Sequence, residues 1–220
     1  MKKPLIIFGA GQIAEVAHFY FTHDSDYKVA AFTVDDAYIN EDTFYQLPVI
    51  PFSQIEKVYP GSQYDMFIAL SYQNLNQVRE QKYHAAKEKG YHLANYISSK
   101  ATIWPDLTTN DNCFILEDNT IQPFAKIGNN VTLWSGNHIG HHSVIHDHCF
   151  ISSHVVVSGG VIIENNCFIG VNAAIKNQTR VGKHSIIGMG AIISNNTEDN
   201  SIYKGNASLP SKLKSDQIKL

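Results

Sequence analysis

Two hydrophobic rhythms divide the chain. In the first, short apolar runs alternate with helical patterns. Pro4–Phe8 reads as a strand, Gly9–Gly11 as a turn, and Gln12–Thr22 as a helix with Ile13, Val16, Ala17 and Tyr20 on one face. Lys28–Val34 reads as a second strand ending at Asp35-Asp36. Ser53 and Glu56 form a capping-box pattern for a short helix to Tyr59. Tyr64–Leu70 reads as a strand, Asn74–Lys89 as a helix closed by Gly90, and Tyr91–Asn95 as a last strand. Strand and helix in alternation predict a small, mostly parallel α/β sheet.

From residue 103 the period changes to six. An aliphatic residue recurs from Ile103 through Ile115, Ile121, Ile127 and so on to Ile193, filling fifteen of sixteen slots, with Thr109 the one break. The slot four residues after each is usually small, as at Ser143, Cys149, Cys167 and Ala173. This is the hexapeptide repeat of a parallel β-helix, three hexads to a triangular coil. Residues 18 apart then stack at the inter-strand spacing of about 4.8 Å. Cys113, Cys149 and Cys167 fall in one inward column, as small packing residues. Phe114, Thr132, Phe150, Phe168 and Ile186 form an outward ladder, which suggests a subunit interface.

Composition narrows the function classes. The 220 residues suffice for one large or two small domains with a real core. A net charge of −3, with scattered Lys and Arg, offers no footprint for nucleic acid or an anionic membrane. No segment approaches the roughly 20 apolar residues of a membrane span, and the run after Lys2-Lys3 stops at Gly11, so a cytoplasmic address is expected. Three cysteines, none in CxxC spacing, do not form a disulfide framework or a zinc ribbon.

The stretch GNHIGHHSVIHDHCFISSH (136–154) holds six of eleven histidines: His138, His141, His142, His146, His148 and His154. Their hexad positions distribute them over different faces and edges, so they do not converge on a metal. The γ-class carbonic anhydrases use this fold with three zinc histidines, one about two coils before a close pair. The matching region here offers Pro105 and Asp106. One column reads Pro123, His141, Gly159, Asn177 and its neighbour Phe124, His142, Gly160, Gln178. A histidine beside a Gly-Gly pair suits acyl transfer: imidazole takes a proton from a nucleophile, and an uncovered N–H binds a developing oxyanion.

GAGQIAEVA, the Asp35-Asp36 strand end, ALSYQNLNQVRE and GNHIGHHSVIHDHCFISSHVVVSGG together resemble the nucleotide-sugar acetyltransferases related to bacillosamine N-acetyltransferase and sialic acid O-acetyltransferase. The resemblance implies a Rossmann-like nucleotide-sugar-binding domain over 1–98 and a left-handed β-helix acetyltransferase domain with its C-terminal cap over 99–220. It implies a homotrimer with acetyl-CoA in clefts between neighbouring β-helices, and no metal. His141 matches the general base, with His142 beside it, and Gly159 the donor to the acetyl carbonyl. Gly159, Gly160, His154 and Asn177 are then the expected acetyl-CoA contacts, and Gly9, Gly11, Gln12, Asp35, Asp36 and Ser71 the expected sugar-nucleotide contacts. Several relatives place a glutamate before the base and an acid after it, where this chain has Gly140 and His142, and a histidine where it has Phe150. The segment from Ser201 to Leu220 resembles the one that closes over the coenzyme, or else a plain cap.

The spacing from Gly11 to Asp35 fits a dinucleotide fingerprint only loosely. So short an α/β part is half a dinucleotide fold, enough for a mononucleotide, which favours a UDP- or dTDP-sugar over NAD. The expected reaction is direct acetyl transfer to an amino group of a nucleotide-linked deoxyamino sugar in bacterial glycan biosynthesis, of the lipopolysaccharide or capsule type. The same groups would serve a sugar O-acetyltransferase acting on a sialic acid or polysaccharide precursor. A zinc-dependent β-helix lyase and a non-catalytic sugar-sensing protein are the readings from other classes.

Overall fold

A computed structural model of the chain describes residues 2–105 and 107–211. Asp106 and the part of the C-terminal segment from 212 onward lie outside the described residues. The N-terminal part is an α/β unit. Strands β1 (Lys3–Phe8), β2 (Tyr27–Val34), β3 (Thr43–Phe44), β4 (Leu47–Pro51) and β5 (Asp65–Ile68) form one sheet in the order β3-β4-β2-β1-β5. All its pairings are parallel except the β3–β4 hairpin. Helices α1 (Gln12–His23), α2 (Ile55–Val58) and α3 (Gln77–Glu88) connect the strands. Leu5, Ile7, Phe21, Phe32 and Phe67 fill one face of the sheet, and Ile6, Ile55, Met66 and Leu93 the other. Both faces of β1 are therefore buried, as its unbroken apolar run requires.

One hairpin is unanticipated, and three local expectations change. The β3–β4 hairpin turns through Tyr45 and Gln46, both with positive φ, without the Asn-Gly signal that such turns favour. Ser53 does not cap α2; its hydroxyl donates to Asp36 at 2.6 Å. Residues 91–95 contribute only a single bridge, Met66 to Leu93, and α3 starts at Gln77 because Asn74, Leu75 and Asn76 all take positive φ.

The second part is a parallel β-helix. Two-residue strands recur every six residues and stack into three sheets, of six, five and seven strands. Partners are 18 residues apart, as His138 opposite Val156, Val144 opposite Ile162 and Phe150 opposite Phe168, until the last rung, where Ile202 pairs with Ile186. Thr108–Thr109 is a strand in register with Lys126–Ile127, so the break in the aliphatic series removes no rung. Ile121, Ile139, Val157 and Ile175 line a core that is almost wholly buried. Cys113, Cys149 and Cys167 are fully buried inside it, and their thiols face main-chain carbonyls. The first rung of the seven-stranded sheet is Tyr96–Ile97.

Corner geometry explains much of the histidine richness. The backbone enters the left-handed region once per hexad, at 112, 118, 124 and onward to 190. Asn, Asp and His tolerate that region better than most side chains. His142, His148, His154 and His184 all occupy this slot, with φ between 53° and 61°.

The outward aromatic ladder proves not to be a subunit interface. Phe114 and Phe150 are almost fully buried within the chain, because the α/β unit packs on the seven-stranded sheet. Tyr72 rests on Phe150 and Phe168 with ring centroids 5.0 and 4.7 Å away. Phe114 sits among Tyr20, Phe67, Tyr96 and Trp134. Arg79, projecting from α3, is entirely buried against the same sheet. It donates to the carbonyls of Asn130, His148 and Cys149, to Thr132 Oγ1 and to Asn76 Oδ1, at 2.8–3.3 Å. Burial pulls the pKa of its guanidinium down to about 10.

Candidate active site

His141 and His142 turn the corner between the six-stranded sheet (His138–Ile139) and the five-stranded sheet (Val144–Ile145). This edge lies opposite the seven-stranded sheet, so the α/β unit does not cover it, and both imidazoles are exposed. With Gly159, Gly160, Asn177 and Gln178 they line an open cavity of about 310 Å³. The His141 main-chain N–H donates to Gln122 Oε1 at 2.9 Å, which fixes the turn. Its carbonyl accepts from Gly160 N–H at 2.8 Å, coupling this coil to the next. The two Nδ1 atoms are 3.1 Å apart, with the rings nearly perpendicular.

His141 Nε2 lies against Gly159. A Cβ added there would stand 2.6 Å from Nε2, so the ring occupies space that any other residue would fill. At some equivalent corners a side chain takes this N–H: Asp111 is capped by Asn129, Asn129 by Asp147, and Lys183 by Asp199. Among the described residues no acceptor takes the Gly159 N–H. The corner thus presents an imidazole nitrogen beside an unspent backbone donor, the pair that acyl transfer requires.

A second cavity, about 330 Å³, opens at the C-terminal ends of β1 and β2, where an open α/β sheet binds ligands. Gly9, Gly11 and Asp35 line it with Tyr38, Gln73 and Lys82. Gly9 takes φ +125°, and a Cβ there would meet the Ala69 carbonyl at 2.8 Å. Asp35 Oδ1 accepts from Lys82 Nζ at 2.6 Å. The structure does not bring the other predicted contacts to this wall: Gln12 begins α1, Asp36 turns away to Ser53, and Leu70 and Gln73, not Ser71, face the space. Ser53 also holds the Asp36 carboxyl below the usual carboxylate range.

Of the remaining predicted residues, Gly160 and Asn177 join His141, whereas His154 does not. It lies on the edge between the seven- and six-stranded sheets, with its ring over Gly136.

In the sequence His148 is one more corner histidine, and nothing there announces its surroundings. It is buried on the third edge, with Nε2 3.6 Å from Glu80 on α3 and its ring 5.6 Å from that of His84. Ligand-type atoms of Glu80, His84 and His148 lie within 4.8 Å of one another. A polar relay sets the His148 tautomer. The Ile68 peptide fixes both amide atoms of Asn112, whose Nδ2 donates to Asn130 Oδ1, so Asn130 Nδ2 donates to His148 Nδ1 at 2.9 Å. With Nδ1 an acceptor, the ring proton sits on Nε2 and points to Glu80, the nitrogen a metal would need. Burial lowers the His148 pKa despite the Glu80 charge.

Stacked hexads in three parallel sheets, an α/β unit on one of them and an open histidine edge opposite define a hexapeptide-repeat β-helix protein with an appended α/β part. A family model described as bacterial transferase hexapeptide (six repeats) matches residues 124–159. No curated protein matches the chain by sequence. Among solved structures, the acetyltransferase domain of PglB from Neisseria gonorrhoeae FA1090 in complex with acetyl coenzyme A aligns with TM-score 0.83 at 22% identity, over 96% of this chain and 100% of that one. PerB from Caulobacter crescentus, in complex with CoA and GDP-perosamine, aligns with TM-score 0.81 at 20% identity, over 93% and 95%. WeeI from Acinetobacter baumannii AYE aligns with TM-score 0.67 at 19% identity, over 91% and 95%. The chain therefore shares, along nearly its whole length, the fold of these proteins, and its stacked parallel sheets fit a left-handed β-helix.

Proposed function

We propose that this protein is an acetyl-CoA-dependent N-acetyltransferase acting on the amino group of a nucleotide-linked deoxyamino sugar, a UDP- or dTDP-sugar, in bacterial glycan biosynthesis. The observation that carries the reading is the His141 Nε2 atom beside Gly159 and its free N–H on an open edge. His141 takes the proton as the amine attacks the thioester carbonyl. The C–N bond forms, Gly159 N–H holds the oxyanion, the C–S bond breaks, and the proton passes to the CoA sulfur. Both substrates are held in line, and no covalent enzyme intermediate is needed. The three cysteines are buried in the β-helix interior, which leaves no thiol at this site.

In this reading residues 1–98 form a Rossmann-like half that binds the nucleotide in the cavity of Gly9, Gly11 and Asp35, and 99–220 form the acetyltransferase part. Gly160 and Asn177 contact acetyl-CoA. The α/β unit covers one sheet while His141 stands on the edge opposite, so one chain alone does not bring the nucleotide cavity to the base. A homotrimer that sets neighbouring β-helices side by side closes that gap, and His154 then acts from a neighbour's edge. Among the described residues no helix is long and apolar enough to cross a membrane, and the address that goes with this reading is the cytoplasm. Following CoA thiol release with acetyl-CoA and a panel of UDP-, dTDP- and GDP-linked amino sugars and their hydroxyl counterparts tests the reading. Release with an amino sugar supports it, release only with hydroxyl sugars makes it an O-acetyltransferase, and no release with any refutes it.

A further inference from the structure

Two features of the open corner are unused by the reaction above. The first is Phe124. Between Asn112 and Gly190 every other left-handed corner residue is Asn, Asp, Gln, His or Gly, whereas Phe124 takes φ 65° with a bulky aromatic side chain. Such a residue is an outlier in this region. Core packing does not offset the strain, because the side chain is 60% exposed. Its one ring contact among the described residues is His142, with centroids 4.7 Å apart and planes tilted 38°.

The second is the Nδ1–Nδ1 contact of 3.1 Å between His141 and His142. Two imidazole nitrogens at that distance need one proton between them, since two lone pairs or two N–H groups would repel. His141 Nε2 faces Gly159 and must be bare to accept a proton. The shared proton then belongs to His141 Nδ1, and His142 Nδ1 is the acceptor. Strained or sparsely populated backbone that packing does not compensate marks a functional constraint.

We propose that His142, seated on Phe124, is the positioning residue that fixes the tautomer and orientation of His141. The inference rests on the reading of His141 as base. A neutral imidazole here does what a carboxylate does for a catalytic histidine elsewhere: it accepts the Nδ1 proton and leaves Nε2 free. During transfer Nε2 gains the amine proton, Nδ1–H stays bonded to His142, and the proton leaves Nε2 for the departing sulfur, so His142 begins and ends neutral.

The test combines a substrate-free readout with kinetics. In ¹⁵N-histidine-labelled protein, NMR should show His141 as the Nδ1–H tautomer and His142 as the Nε2–H tautomer. His142→Asn keeps an acceptor oxygen and suits the corner backbone, so it should preserve the His141 tautomer and most of kcat. His142→Ala should scatter the tautomer and lower kcat about 10- to 100-fold, with KM for both substrates within about twofold. Phe124→Asn relieves the backbone and removes the stack; it should leave the thermal midpoint equal or higher while kcat falls several-fold. An Nε2–H tautomer at His141 in the unaltered protein, or His142→Ala with tautomer and kcat unchanged, overturns the inference. The base assignment fails separately, through full turnover in His141→Ala, and does not affect the tautomer readout.

Discussion

Two corners of one β-helix, His141–His142 and His148, use the same turn and the same residue type within a single coil. At His148 the α/β unit arrives: α3 lays Glu80 and His84 over the ring, Arg79 threads beneath it, and the Ile68–Asn112–Asn130 relay fixes its tautomer. At His141 nothing arrives, so the imidazole faces an open cavity with an uncapped glycine N–H beside it. His142 and His148 occupy the same left-handed slot, which histidine tolerates, and His141 is the residue before it. The cover each corner receives then makes one a structural joint and the other a reactive edge.

The contrast yields substitutions with opposite signatures. The largest effect is expected at the open corner: His141→Ala should lower kcat by about 10²- to 10⁴-fold while leaving the unfolding free energy within about 0.5 kcal/mol, as checked by steady-state turnover and denaturant unfolding. Next comes the closed corner. Arg79→Ala strips five hydrogen bonds from a buried joint and leaves a cavity, and should cost about 3–5 kcal/mol in chemical denaturation. Gly159→Ala follows, since its Cβ would stand 2.6 Å from His141 Nε2; about a 10- to 100-fold loss of kcat is expected with little change in thermal midpoint.

The smallest effect is a pH dependence. Burial holds the folded His148 pKa below the value of about 6.5 it has when unfolded. The unfolded chain therefore binds the proton more readily, so this residue's contribution is present above pH ~6.5 and is lost as pH falls below it. His148→Gln keeps an acceptor toward Asn130 and a donor toward Glu80 without titrating. It should flatten the decline in stability between about pH 6.5 and 5 in thermal unfolding at several pH values, and leave turnover unaltered.

Legibility follows the length scale of each interaction. The hexads are plain because every Ile or Val in the series carries the same penalty for exposure, and stacking at 18 residues is local arithmetic. The inward cysteines and the grouping of His141 with Gly159 follow from that arithmetic too. The aromatic ladder misleads because burial of Phe114 and Phe150 depends on a partner element far earlier in the chain, and nothing in Tyr72 or Arg79 advertises the contact. A buried Arg79 looks like any charged position on an amphipathic helix. The Tyr45-Gln46 turn carries no glycine or asparagine to announce it. Asp36 reads as a sugar-nucleotide contact until Ser53, from the next connection, claims its carboxylate.

The most direct measurement takes one preparation each of the unaltered protein, His141→Asn and His148→Asn, and determines acetyl-CoA turnover and thermal midpoint together. The account predicts a crossing: His141→Asn loses turnover at an unchanged midpoint, while His148→Asn loses midpoint and retains turnover per folded molecule. Parallel losses in both variants, or full turnover in His141→Asn, would contradict it.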